Sequence, residues 1–307
     1  MERIQEALEK ARRERQSQLD QQSNGEQKNG EHGKAADSAA REPVSDDAKT
    51  TPLNKQQNAQ EHKDRAKNAP QKGDAGSSIR ISYSQTKTVS LDEAELKDRR
   101  IVAGFAHDER SEPYRQLRGQ ILNKFRENNW RTLAVTSPNA GSGRTLTAVN
   151  LAISLSLEVN QTVLLVDLDL RSPGVASCLG ISEIDAGLVD YVRGNCDLKD
   201  ILINPGYERL VVVPGTPQGA FTSEIITSPE MQAVTRELID RYDSRLVIFD
   251  LPAVLDHDDP LVFAPKCDAT LMVLEEGGST KQDVERAYNL LEGANIIGSV
   301  LNKVRYT

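Results

Sequence analysis

Asp167 and Asp169 stand two apart, Asp250 closes a later apolar run, and Thr145 follows a glycine-rich stretch. Hydroxyl and carboxylate oxygens of this kind hold hard divalent cations, and a carboxylate can take a proton from an attacking hydroxyl. The glycine stretch, Ala134 to Asn150, reads AVTSPNAGSGRTLTAVN. Apolar Leu133-Ala134-Val135 opens it and a helix-like stretch runs on to about Leu157, so the pattern predicts strand, glycine loop and helix. In that context backbone N–H groups and a helix N-terminus cradle a phosphate. The candidate phosphate-contacting residues are Ala140, Gly141, Ser142, Gly143, Arg144, Thr145 and Leu146. The loop departs twice from the usual pattern: Pro138 stands at the first glycine, and Arg144 stands where a lysine would precede Thr145. A guanidinium keeps the charge but is larger and flatter than an ammonium.

Strands must end beside these residues if they are to act together. Val163–Val166 reads as a buried parallel strand ending in Asp167-Leu168-Asp169-Leu170-Arg171. Two carboxylates there are costly if buried without a cation, and that edge of an open parallel sheet is where ligands sit. Leu246–Phe249 is a second such strand, ending in Asp250-Leu251-Pro252. An acid closing an apolar strand about a hundred residues after a phosphate loop is the Walker B arrangement, able to hold magnesium. Leu210–Val213, Thr270–Leu274 and Ile296–Leu301 read as further strands. Glu109 to about Asn128, Met231–Tyr242 and Lys281–Leu291 read as helices, and Ile101–Phe105 as a short strand or a docking segment. Alternation of the two kinds predicts an α/β fold with a mainly parallel, doubly wound sheet.

The net charge of −8 lies wholly in residues 79–307, because residues 1–20 carry five basic and five acidic side chains and residues 21–78 nine of each. An acidic globular part argues against a nucleic-acid surface, which needs clustered Lys and Arg. The three cysteines are far apart and read as free thiols. The four histidines show no metal-ligand spacing, and His257, among Asp256, Asp258 and Asp259, reads as part of a solvated loop. No secretion signal opens the chain and no apolar run reaches membrane-span length, which predicts a cytoplasmic protein. Residues 1–18 read as an amphipathic helix, either solvated or a docking helix. Residues 19–85 read as a disordered linker: between 21 and 78 only Val44 and Leu53 are large aliphatics. Residues 86–307 form the expected catalytic-type domain. In its first helix Glu112, Arg115 and Arg118 repeat as E-x-x-R-x-x-R, a charged ridge that is either a helix ladder or a seam to another subunit.

Jointly AGSGRT, LLVDLDLRSP and LVIFDLP resemble the bacterial tyrosine kinases of capsule and exopolysaccharide assembly, and most closely the autokinases associated with exosortase systems. The resemblance runs from about Glu109 onward, including the E-x-x-R-x-x-R helix and the LLEGANIIGSVLNK stretch; the opening ERIQEALEKARRE shares it more weakly. It implies a P-loop NTPase fold, ATP and Mg2+ as cofactors, and tyrosine autophosphorylation. It further implies that Asp167 and Asp169, in a D-x-D-x-R motif with Arg171, act with Asp250 around magnesium and the attacking hydroxyl, that Arg144 joins them as a catalytic residue in the place of the P-loop lysine, and that Thr145 binds the metal. On the same grounds Glu112, Arg115 and Arg118 are subunit contacts. A membrane-embedded chain-length regulator is the implied partner, placing the protein at the inner face of the plasma membrane.

The sequence departs from the family at Arg144, at Asn139 (where partition-type ATPases of the superfamily carry a second lysine), at Leu251 and Ala253 after the Walker B acid, and in lacking a tyrosine-rich tail. Two readings of function therefore stand side by side: an active autokinase, and a nucleotide-binding scaffold of weak catalysis serving the same machinery. A partition-type ATPase fits less well, lacking the signature lysine. An acceptor tyrosine must reach another subunit's site, which chain ends do best, so Tyr306 is the expected phosphoacceptor, followed by Tyr83.

Overall fold

A computed structural model describes residues 86–241 and 245–305. The helix expected over 1–18, the linker expected over 19–85, and Tyr83, Tyr242 and Tyr306 lie outside those residues. One sheet contains β1 (Lys87–Thr88), β2 (Thr132–Ser137), β3 (Thr162–Asp167), β4 (Ile203–Asn204), β5 (Leu210–Val213), β6 (Arg245–Ala253), β7 (Ala269–Glu275) and β8 (Ile296–Asn302). The helices described are α1 (Glu93–Asp98), α2 (Glu112–Asn128), α3 (Arg144–Ser156), α4 (Val175–Cys178), α5 (Leu188–Val192), α6 (Leu198–Ile201), α7 (Thr222–Thr227), α8 (Pro229–Asp240), α9 (Asp259–Phe263) and α10 (Lys281–Leu290).

The strand order is β1-β4-β5-β3-β6-β2-β7-β8, and every pairing is parallel except β4 with β5. Strands that are parallel end at one edge, so Ser137, Asp167 and Asn302 come out together there. The strands are apolar throughout because both faces are covered. Leu164, Val166, Val247 and Phe249 face a core closed by Met231 and Leu238 of α8 and Val284 of α10. Val163, Leu165, Leu246 and Ile248 face the other core, closed by Ile121 and Phe125 of α2 and by α3. Residues Thr147–Ser156 of α3 are all buried, as expected of a helix held on every side.

The packing corrects one sequence expectation and decides between the two readings of another. The Walker B strand does not stop at Phe249: β6 continues through Asp250 and Pro252 to Ala253. Pro252 has no N–H for a ladder. The register against β2 shifts between Val135 and Ser137, and Thr136 Oγ1 donates to the Pro252 carbonyl at 2.6 Å. Ile101–Phe105 forms no strand; it is a docking segment with Ile101, Val102 and Ala103 buried. Asn150 Oδ1 holds it, accepting from the N–H groups of Val102 at 2.8 Å and Ala103 at 3.0 Å. No helix among the described residues is long and apolar enough to cross a membrane.

Candidate active site

The glycine loop joins β2 to α3 at the carboxyl edge of the sheet. Gly141 and Gly143 have φ of 79° and 85°, left-handed values that side chains resist. A Cβ on Gly143 would meet Asn302 Nδ2 at 2.1 Å. The loop is shaped by its own bonds: Ser137 Oγ and Ser142 Oγ donate to the Asn139 carbonyl at 2.8 and 2.9 Å. Asn302 Nδ2 donates to the Ser142 carbonyl at 2.9 Å, and Ala140 N–H to Asp256 Oδ2 at 3.1 Å. Because α3 starts at Arg144, the N–H groups of Arg144, Thr145 and Leu146 have no partner within the helix. They and the dipole of α3 face a cavity of about 460 Å³ lined by Gly141, Gly143, Thr145 and, across the gap, Gly174 and Cys178. Such a cavity can receive an anion.

The carboxylates meet where parallel strands run in register, Asp167 of β3 opposite Asp250 of β6. Both are fully buried and Asp169 is 2% exposed. Asp167 accepts from the N–H of Val175 at 2.9 Å and of Asp169 at 3.2 Å. Burial, and next the neighbouring Asp250, pushes the Asp167 carboxyl well above the usual range. Burial likewise raises Asp250 to about 7, opposed by the Arg144 guanidinium and the Thr145 hydroxyl. Thr145 Oγ1 donates to Asp250 Oδ2 at 2.7 Å, and Asp250 Oδ1 has no partner. Thr145 and this unpaired oxygen suit a divalent cation shared with phosphate oxygens. Among the described residues no group of three His, Cys, Asp or Glu side chains is placed to hold a metal ion by itself.

Arg144 points inward. Its Nε donates to the Leu251 carbonyl at 2.7 Å, its Nη2 pairs with Asp169 Oδ2, and its side chain is 13% exposed. Arg171 leaves the cluster: its Nε forms an ion pair with Asp259 at 3.9 Å, and Asp259 accepts a hydrogen bond from Thr222 Oγ1 at 2.9 Å. Asp259 is buried, so the solvated-loop reading holds for exposed Asp256 and Asp258 but fails for Asp259. Of the charged ridge, Arg115 Nε donates to Glu112 at 2.8 Å within α2, while Arg118 crosses to the Ser154 carbonyl of α3 at 3.0 Å and to Glu158, just past that helix, at 3.2 Å.

Sequence reasoning missed Asn302 and Arg99. Asn302 ends an apolar strand at the ligand edge, a position that could have flagged it. Arg99 lines the 460 Å³ cavity and donates to the Ser177 carbonyl at 2.8 Å, and no motif marks it. A second cavity of about 810 Å³ borders Gly143 and Leu146 and is lined by Tyr114 and Leu117 of α2 and by Asn302.

Residues 130–258 match the family described as AAA domain. The tyrosine-protein kinase CpsD of Streptococcus pneumoniae is 30% identical over 176 residues, 57% of this chain and 76% of that protein. The tyrosine-protein kinase YwqD of Bacillus subtilis is 26% identical over 194 residues, 62% of this chain and 80% of that protein. Among solved structures, the kinase domain of the Escherichia coli tyrosine kinase ETK superposes with a TM-score of 0.62 at 26% identity, covering 72% of this chain and 89% of that one. A P-loop sheet of this order carrying that identity and coverage places the chain in one family: it belongs to the bacterial tyrosine-protein kinases.

Proposed function

We propose that the chain is an ATP-dependent protein-tyrosine autokinase that regulates exopolysaccharide or capsule biosynthesis and export. It acts from the cytoplasm, at the inner face of the plasma membrane, beside a membrane-embedded chain-length regulator. The observation that carries this reading is the junction of Thr145, Asp250 and Asp167 at the mouth of the glycine loop. Backbone N–H groups from Gly141 to Leu146 bind the phosphates, while that of Ala140 is held by Asp256. Thr145, Asp250 and Asp167 would hold Mg2+, which would neutralise charge on the transferring group. Asp167 and Asp169 would receive the tyrosine hydroxyl, one of them taking its proton as the hydroxyl oxygen bonds the γ-phosphorus and the bond to ADP breaks.

The acceptor is Tyr306. Tyr114 and Tyr288 are packed into the fold, Tyr191 donates to Glu237 at 3.0 Å, and the Tyr207 hydroxyl lies 2.5 Å from where a Cβ on Gly104 would be. Glu112, Arg115 and Arg118 remain the proposed self-association contacts.

The inward turn of Arg144 favours the second reading, a nucleotide-binding scaffold of weak catalysis. Purified protein is incubated with labelled ATP and magnesium, with and without the membrane partner. Phosphotyrosine on Tyr306 supports the kinase; nucleotide binding without any phosphotyrosine supports the scaffold; no binding of ADP at millimolar concentration sinks both.

A further inference from the structure

We propose that Arg144 is the resident counter-cation of the carboxylate cluster, supplying there charge that a divalent ion otherwise brings, so that nucleotide binding depends little on magnesium. Three carboxylates, Asp167, Asp169 and Asp250, are withdrawn from water at one strand edge. Among the described residues one ion pair serves them, Arg144 with Asp169. Unpaired, such a set is strongly disfavoured in a dry site. The guanidinium is held by two kinds of partner, the Asp169 carboxylate and the Leu251 carbonyl, which fixes its plane. It also acts on Asp250, whose carboxyl it pulls downward. A lysine ammonium has no planar fork to bridge a carboxylate and a strand carbonyl in this way.

Arg144 is the first residue of α3, where a cation meets the unfavourable end of the helix dipole. Its position is thus explained by the carboxylates and not by the helix. Asp250 Oδ1, buried and without a partner, is the remaining oxygen open to a cation, so the guanidinium satisfies the cluster only in part. An incoming phosphate meets carboxylates whose charge is already partly offset by a cation fixed to the protein.

The binding arm rests on the nucleotide reading above; a second arm does not. In calorimetry, ADP affinity of the wild-type protein in EDTA is expected to stay within about threefold of that in magnesium, while Arg144→Met makes it more than about tenfold magnesium-dependent. A wild-type affinity that falls tenfold or more in EDTA overturns the proposal. The second arm needs no ligand. Arg144→Met leaves a buried charge unpaired and should lower the melting temperature by roughly 5–15 °C, and adding Asp169→Asn should restore most of it. Arg144→Met melting like wild type, or the double variant melting no higher than the single one, overturns the counter-cation role. If Arg144→Met does not fold, a folded double variant supports the role and an unfolded one refutes it. No ADP binding in either buffer counts against the nucleotide reading alone, and the melts then decide the proposal.

Discussion

Asn150→Ala should cost far more than its place away from the phosphate loop suggests. Asn150 is fully buried on α3 and makes four hydrogen bonds. Two are replaceable: the bond to the Leu146 carbonyl duplicates a helix bond, and the bond to the Arg100 carbonyl, at 3.1 Å, leaves an acceptor less demanding than a donor. The other two are not, because the N–H groups of Val102 and Ala103 have Oδ1 as their acceptor and lie in a buried segment. Each orphaned donor costs about 1–3 kcal/mol. Alanine returns roughly 0.5 kcal/mol of helix propensity. The net loss is about 1.5–5.5 kcal/mol, or a fall in melting temperature of about 3–22 °C for a domain of this size. Denaturant unfolding measures the loss, and hydrogen exchange at Val102 and Ala103 locates it. A loss below about 1 kcal/mol would refute the argument, since it means those two donors find other partners.

Three further outcomes are expected. Arg144→Lys should raise autophosphorylation on the order of 10²-fold, as a charge returned to the transferring group would; turnover with labelled ATP reads it, and no gain means that the lysine's absence does not limit the enzyme. Exchanging the signs of Glu112 and Arg115 together keeps their pair within α2 but reverses any seam to another subunit. Light scattering should then show a smaller particle if the ridge is a subunit contact and an unchanged one if it is not. Tyr306→Phe should abolish most of the phosphotyrosine found by peptide mapping, whereas phosphate on Tyr191 or Tyr242 with Tyr306 clean would refute the choice of acceptor.

The long apolar strands were legible because burial of both faces leaves its mark on every residue, as in Val163–Val166 and Leu246–Phe249. Their ends were less so. β6 runs on through Pro252 because the shift in register with β2 tolerates the missing N–H, and that is settled by pairing, not by local pattern. The strands β1 and β4 hold two residues each, too few for any periodicity, and the antiparallel pairing of β4 is a property of its neighbour. At the site the motif positions were legible one by one. Where each side chain turns was not: the charge at Arg144 could be read, but its attachment to Asp169 and Leu251 depends on two strands far off in sequence. Asp259 was misread for the same reason, since it is the approach of Arg171 and Thr222 that buries it.

The contact between Gly143 and Asn302 bears on how this loop could be re-engineered. The glycine is required twice over, by its left-handed backbone and by the amide that occupies the space of a Cβ. No change of neighbour relieves both demands, so position 143 has no neutral route to another residue. Asn302 is bound by a single demand, its bond to the Ser142 carbonyl, and loses only that if exchanged. Libraries meant to reshape the phosphate loop therefore belong at the end of β8, where the loop can be loosened or shifted from outside while every glycine in it stays in place.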